Sequence, residues 1–210
     1  STPAPRVLLE PTQSTLRQIS FDPIADASTL TERLQRLYVL SEELSTNPMI
    51  SAIYVGYDNG EFLLARPLDN AAIRERFKAP GGANFLVQTR TLQPGGNIVG
   101  EYLFFDANSV IEERRAMPDY QFDARVRPWY RAANETTDSV LSQPYVFFTT
   151  QQVGVTLSRL SRSGNAVVGI DMVLDEISST LGTLKLSDHS EIALVNDQQE
   201  ILAYPQMDRV

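Results

Sequence analysis

The residues of this chain best equipped for chemistry stand together at Arg127-Pro128-Trp129-Tyr130, inside a stretch of residues 123–145 that closes with Pro144-Tyr145. A guanidinium fork binds a carboxylate through two parallel hydrogen bonds. An indole N–H and a phenol O–H add directional donors, and their rings exclude water. Pro128, with its ring-locked φ, suits the first turn of a helix and would aim Arg127, Trp129 and Tyr130 from a loop–helix junction. This set fits a receptor for a small anionic group. The same residues admit a plainer reading, in which Trp129 and Tyr130 are core aromatics and Arg127 pairs with a structural carboxylate such as Asp123. A second charged group, Asp171, sits near the end of the apolar run Ala166 to Met172. A carboxylate there needs a partner, since burying it alone is costly. Its acceptor oxygens suit a ligand ammonium or, in the plainer reading, a backbone amide or Arg127.

Elements of both kinds are needed to position these groups. Thr29 and Glu32 have capping-box spacing, and Leu30, Leu34, Leu37 and Leu44 recur on one face, which predicts a packing helix ended by Asn47-Pro48. Thr12 to Ile19 is a weaker helical segment bounded by Pro11 and Pro23, with a linker as the alternative. Residues 50–57 and 61–66 flank Asp58-Asn59-Gly60, a hairpin signal. Asp69 or Asn70 caps a short helix through Phe77. Residues 85–92, 98–105 and 109–115 read as further strands joined by tight turns, so the sheet should be antiparallel. In residues 153–160, Val153, Val155 and Leu157 alternate with Gly154, Thr156 and Ser158, one face for a core and one for a cavity or solvent. Val173, Leu174, Ile177, Leu181 and Leu184 mark a last helix, and residues 191–195 and 200–203 form a hairpin around Asn196-Asp197.

Composition narrows the function classes. The 210 residues are 42% hydrophobic and 21% charged, ordinary for a globular protein, with a net charge of −8 that argues against nucleic acid. No apolar run approaches the roughly 18 residues of a membrane span, and Ser1-Thr2-Pro3-Ala4-Pro5 does not read as a leader, so the chain is expected to be a piece of a larger protein. There is no cysteine, hence no disulfide and no thiolate metal site. Enzymatic readings are weak. His189, the one histidine, lies in a polar turn, no Gly-x-Ser-x-Gly elbow occurs, and Pro80-Gly81-Gly82 lacks the Lys and Ser or Thr of a phosphate-binding loop. No EF-hand spacing is present, and Glu112-Glu113-Arg114-Arg115 reads as a solvated charged face. Neither catalysis nor a cofactor or metal is expected.

Residues 122–133, Phe-Asp-Ala-Arg-Val-Arg-Pro-Trp-Tyr-Arg-Ala-Ala, resemble the signature of double Cache (dCache) sensor domains, the extracytoplasmic ligand-binding domains of bacterial chemoreceptors, sensor kinases and cyclic-nucleotide enzymes. The order downstream agrees: Gln143-Pro144-Tyr145-Val146, a strand from Val153 to Leu160, a turn at Ser163-Gly164-Asn165, then Val168-Gly169-Ile170-Asp171-Met172. The resemblance covers roughly residues 28–205. It implies an α+β fold, a PAS-like antiparallel sheet with a long flanking N-terminal helix. It also implies a division into an N-terminal helix or linker (1–27), a membrane-distal ligand module (28–173), and a helix with the start of a membrane-proximal module (174–210). Roughly 40 residues are too few for an independent module, so the second module is expected to be truncated or rudimentary, a departure from the family pattern. Several amino-acid-binding members hold the α-carboxylate with the arginine, tryptophan and tyrosine matched here by Arg127, Trp129 and Tyr130. They hold the α-ammonium with residues matched by Tyr145 and Asp171. Where that pattern has a further tyrosine, five residues before the arginine, this chain has Phe122, which keeps a ring and loses a hydroxyl, a change of roughly 0.5–1.5 kcal/mol for one polar contact. The resemblance therefore implies a periplasmic sensor domain of a membrane-anchored, potentially homodimeric receptor with a small-molecule ligand: an amino acid, amine or carboxylate. The alternative is a ligand-free structural or dimerisation module on the same scaffold.

Overall fold

The computed structural model describes residues 4–183, 194–195 and 201–203. Helix α1 (Ala4–Phe21) precedes α2 (Leu30–Gln35) and α3 (Leu37–Thr46), and strands β1 (Ala52–Tyr57) and β2 (Phe62–Pro67) follow as a hairpin. Helix α4 (Ala71–Arg76) leads to β3 (Phe85–Leu92), β4 (Ile98–Phe105) and β5 (Ile111–Ala116). Then come α5 (Pro128–Asn134), the short strands β6 (Val140–Leu141) and β7 (Tyr145–Val146), β8 (Val153–Leu160), β9 (Ala166–Val173) and α6 (Leu174–Thr183). The strands β10 (Leu194–Val195) and β11 (Ile201–Ala203) pair with each other. His189 lies outside the described residues, as does much of the segment read as a second module.

Nine strands form one sheet in the order β5-β4-β3-β2-β1-β9-β8-β6, with β7 paired to β8. Every pairing in it is antiparallel, as the turn signals predict. The sheet is covered on both faces, and β1 and β9 are buried along their whole length. On one face Ile53, Val55, Leu63, Leu157, Val168 and Ile170 meet α1 and α3 through Leu16, Ile19, Leu40 and Leu44. On the other face Ala52, Tyr54, Phe62, Phe104 and Val167 meet Phe122 and the α5 residues Trp129, Tyr130 and Ala133. This aromatic second face is where the site lies.

Two helical expectations change. The first helix does not begin after Pro11: it runs from Ala4 and passes through that proline. Leu9, Thr12, Thr15, Leu16, Ile19 and Ser20 are buried at helical spacing while Pro11 is exposed, so one lost hydrogen bond is outweighed by a long packed face. The Thr29 helix is two helices. Thr29 caps it through Glu32 N at 3.2 Å as expected, but the ladder breaks at Arg36, with φ −98° and ψ 2°. There Arg36 turns out to form a two-pronged pair with Asp22, at 3.1 and 2.6 Å. Three residues earlier Arg33 is buried, donating to Ala27 O and to Glu61 at 3.0 Å. Asn70, of the two candidates, caps α4 through Ile73 N. The charged alternation of residues 112–115 falls on the edge strand β5, where charge discourages further pairing.

Candidate functional site

The site is built by register. Thr156 on β8 is the direct cross-strand partner of Asp171 on β9, so both side chains stand on the aromatic face. Asp171 is also paired with Ala52 on β1, and Tyr54, two residues along, rises on that face beside it. Tyr54 is itself opposite Gly169, and the ring lies over that glycine: a Cβ there would be 2.1 Å from Tyr54 Cε2. The absence of a side chain at Gly169 is what lets the Tyr54 hydroxyl reach Asp171. Gly154 plays the same part for the Phe147 ring, whose nearest carbon would be 2.3 Å from an added Cβ.

The result is a hydrogen-bond relay ending on one carboxylate oxygen. Tyr54 O–H and Thr156 O–H donate to Asp171 Oδ1 at 2.6 and 2.7 Å. Tyr145 O–H donates in turn to Thr156 Oγ1, whose own proton is committed to Asp171. Both bonds to the carboxylate reach Oδ1, which leaves Oδ2 without a hydrogen bond among the described residues. Burial pushes Asp171 up to about 6, against the opposing effects of these hydrogen bonds and of the charges on Arg66 and Arg127. Burial also raises Tyr54 and Tyr145, helped by the adjacent Asp171 charge, so both remain protonated donors.

The opposite wall carries Arg127. Pro128 is the first helical residue of α5, as its ring predicts, and Arg127 is the N-cap in extended geometry. Its guanidinium lies between two rings, 5.7 Å from the centroid of Phe122 and 5.6 Å from that of Phe148. Its Nε is buried and, among the described residues, has no hydrogen-bond partner. Asp123, the structural partner suggested by the plainer reading, is taken by Arg125, which binds it through the side chain at 3.0 Å. Trp129 is buried against Tyr54, edge to face at 4.9 Å between centroids, and its carbonyl accepts from Ser158 at 3.0 Å. The small, polar face of β8 thus serves the cavity at Thr156 and the α5 junction at Ser158.

Tyr54, Phe62, Arg66, Phe122, Arg127, Trp129, Tyr145, Phe148 and Asp171 line one cavity of about 40 Å³. Of the six residues singled out from sequence, Phe122, Arg127, Trp129, Tyr145 and Asp171 line it. Tyr130 does not, which corrects the expectation that all three aromatic and cationic groups of the Arg-Pro-Trp-Tyr element face one ligand. One step along a helix turns its ring about 100° away from Trp129, and it packs against Gly56 at 3.3 Å from that residue's added Cβ. Sequence reasoning missed Tyr54, Thr156 and Arg66. The two-residue alternation of β2 holds the signal for Arg66, since Phe62, Leu64 and Arg66 share one face. Nothing local marks Tyr54, which owes its place to the β1–β9 register.

Solved structures resemble this arrangement. The chain superposes, over 98% of its length, on the ligand-binding domain of the Pseudomonas aeruginosa amino acid chemoreceptor PctB in complex with L-Gln, with a TM-score of 0.57 and 18% identity, covering 64% of that chain. It superposes equally on the ligand-binding domain of the Pseudomonas fluorescens chemoreceptor CtaA in complex with L-isoleucine, with a TM-score of 0.54, 21% identity and 67% of that chain covered. The chain shares the double Cache fold of these ligand-binding domains. Among curated proteins, the chain is 36% identical over 156 residues to adenylate cyclase 1 of Rhizobium meliloti, which is 74% of this chain. The chain spans 24% of that relative's length. No protein-family model matches it.

Proposed function

We propose that this chain is the extracytoplasmic sensor part of a transmembrane receptor, and that it binds an amino acid, or a related amine or carboxylate, in the cavity between Arg127 and Asp171. One observation carries the reading: a cation and a carboxylate face the same cavity, and among the described residues neither joins an ion pair. A zwitterion matches both. Its carboxylate meets the Arg127 fork and its ammonium meets Asp171 Oδ2, with Phe122 and Trp129 as apolar walls and Tyr145 close to the ammonium pole. Residues 28–173 are the ligand module in this reading, after an N-terminal helix in 1–27 and before the start of a membrane-proximal module in 174–210. The ligand favours one arrangement of the module and so biases the elements leading toward an output domain.

The volume sets a condition. About 40 Å³ is far below the roughly 300 Å³ or more of a small-molecule pocket, so ligand entry requires the cover formed by Phe147, Phe148, Thr149 and Thr150 to move outward. Arg76 fastens that cover through two bonds to Thr149 O, at 3.1 and 2.6 Å. The tightness of the cavity also favours the rival reading of a ligand-free scaffold module. Thermal-shift screening of amino acids, amines and carboxylates, followed by calorimetry, separates the two. Binding raises the melting temperature by mass action, and Arg127→Ala and Asp171→Ala each cost on the order of 2–5 kcal/mol of affinity. No shift with any compound, or unchanged affinity in both variants, leaves the scaffold reading.

A further inference from the structure

Arg66 is the charged residue of the cavity that the zwitterion does not use. It is 6% exposed, on β2, and lines the same cavity as Arg127 and Asp171. Its Nε donates to Gln88 Oε1 at 2.8 Å, and its guanidinium stands 4.9 Å from the centroid of the Phe77 ring. Gln88 is held in turn, donating to Tyr102 O–H at 3.3 Å. The guanidinium is therefore fixed by one neutral hydrogen bond and one ring, and among the described residues it enters no ion pair. Arg66 also lines a second cavity of about 40 Å³, together with Asp69 and Glu176, and neither carboxylate forms an ion pair with it. The carboxylate that acts on its charge is Asp171, which it shares with Arg127, so its neutral bonding partners explain its position and half of one carboxylate is left to balance its charge.

Counting charge over the cavity gives the ligand's complement. The tyrosines Tyr54, Tyr120 and Tyr145 stay neutral, so the ionised groups are Arg66, Arg127 and Asp171: two positive and one negative. A neutral zwitterion leaves one positive charge over. A ligand with two carboxylates and one ammonium leaves none. We infer that the cavity is built for an α-amino dicarboxylate, with the α-carboxylate on Arg127, the ammonium on Asp171 and the side-chain carboxylate on Arg66, which makes Arg66 the specificity-determining residue. The inference rests on the amino-acid reading above and adds the class of side chain.

Calorimetry with isosteric pairs tests it: L-aspartate against L-asparagine and L-glutamate against L-glutamine at neutral pH. At least one acid binds about ten-fold or more tightly than its amide, the equivalent of about 1.4 kcal/mol. Arg66→Gln brings that ratio to within about three-fold by weakening the acid and sparing the amide, whereas Arg66→Lys keeps the preference, as expected of charge rather than shape. The wild-type ratio decides even if a variant fails to fold. Amides that bind as well as or better than both acids overturn the role of Arg66 and leave the amino-acid reading standing. If none of the four compounds binds but L-leucine or another neutral amino acid does, only the side-chain assignment falls. If no amino acid binds at all, both readings fall.

Discussion

Replacing Asp171 by asparagine isolates the cost of the buried carboxylate. Its pKa is pushed from 3.8 to about 6, with burial the largest cause. Between those values the folded chain holds a proton that the unfolded chain has lost, so this group's contribution to stability falls as pH rises from about 4 to about 6 and stays low above that. Two pKa units at 1.36 kcal/mol each give a full cost of about 3 kcal/mol. Roughly 2 kcal/mol of it develops between about pH 4.5 and pH 7.5. Asp171→Asn removes the titration and keeps the geometry, because both hydroxyl donors reach Oδ1, which an amide oxygen replaces. The amide nitrogen takes the place of Oδ2, which receives no hydrogen bond among the described residues. Relative to wild type, the variant should therefore gain about 2 kcal/mol between the two pH values, or about 4–8 °C in melting temperature for a domain of this size. Urea unfolding of both proteins across this range measures the difference, with the other carboxylates cancelling. Parallel pH profiles for the two would show that Asp171 is not held at a cost, and would remove the argument that the carboxylate is kept ionised for a ligand.

Other outcomes follow from the same contacts. Affinity for an amino acid should fall about ten-fold per unit below about pH 6 and level off above it, because the ammonium and the proton compete for Asp171; a flat calorimetric profile from pH 5 to 8 contradicts this. Gly169→Ala drives a methyl into the Tyr54 ring, 2.1 Å away, and should destabilise by about 1–3 kcal/mol while disturbing the Tyr54–Asp171 bond; an unchanged denaturation midpoint would mean that the ring moves freely. Thr156→Val strips a donor from the carboxylate and an acceptor from Tyr145, which should cost about 1–3 kcal/mol and raise the Asp171 pKa further, visible as a shifted pH profile. Thr29→Ala should lose about 1 kcal/mol through its helix cap and leave ligand affinity untouched, which checks that stability and binding are separable here.

Sequence alone determined the elements whose signals are local. The hairpin at Asp58-Asn59-Gly60 was legible because Gly60 takes φ 93°, and the start of α5 because Pro128 fits a first turn. The strand alternation of β8 announced one face for a core and one for polar work, and the motif resemblance pointed to Arg127, Trp129, Tyr145 and Asp171. Tertiary structure decided what these groups do to one another. Tyr54 and Thr156 join Asp171 only through the β1–β9 and β8–β9 registers, which bring residues 117 and 15 positions apart into hydrogen-bond contact. No window of sequence contains the Tyr54–Asp171 pairing. The Arg127–Asp123 partnership was plausible by spacing, yet Arg125 is nearer along the chain and takes that carboxylate. Tyr130 shares the motif and leaves the cavity because a helix rotates each successive side chain away from the last. Arg66 shares the two-residue alternation of β2, yet a lone arginine on a strand reads as surface until the sheet is seen to be covered on both faces. Residue type, in short-range patterns, fixes local backbone geometry; the charge balance of a cavity depends on long-range register and burial, which exist only once the chain has packed.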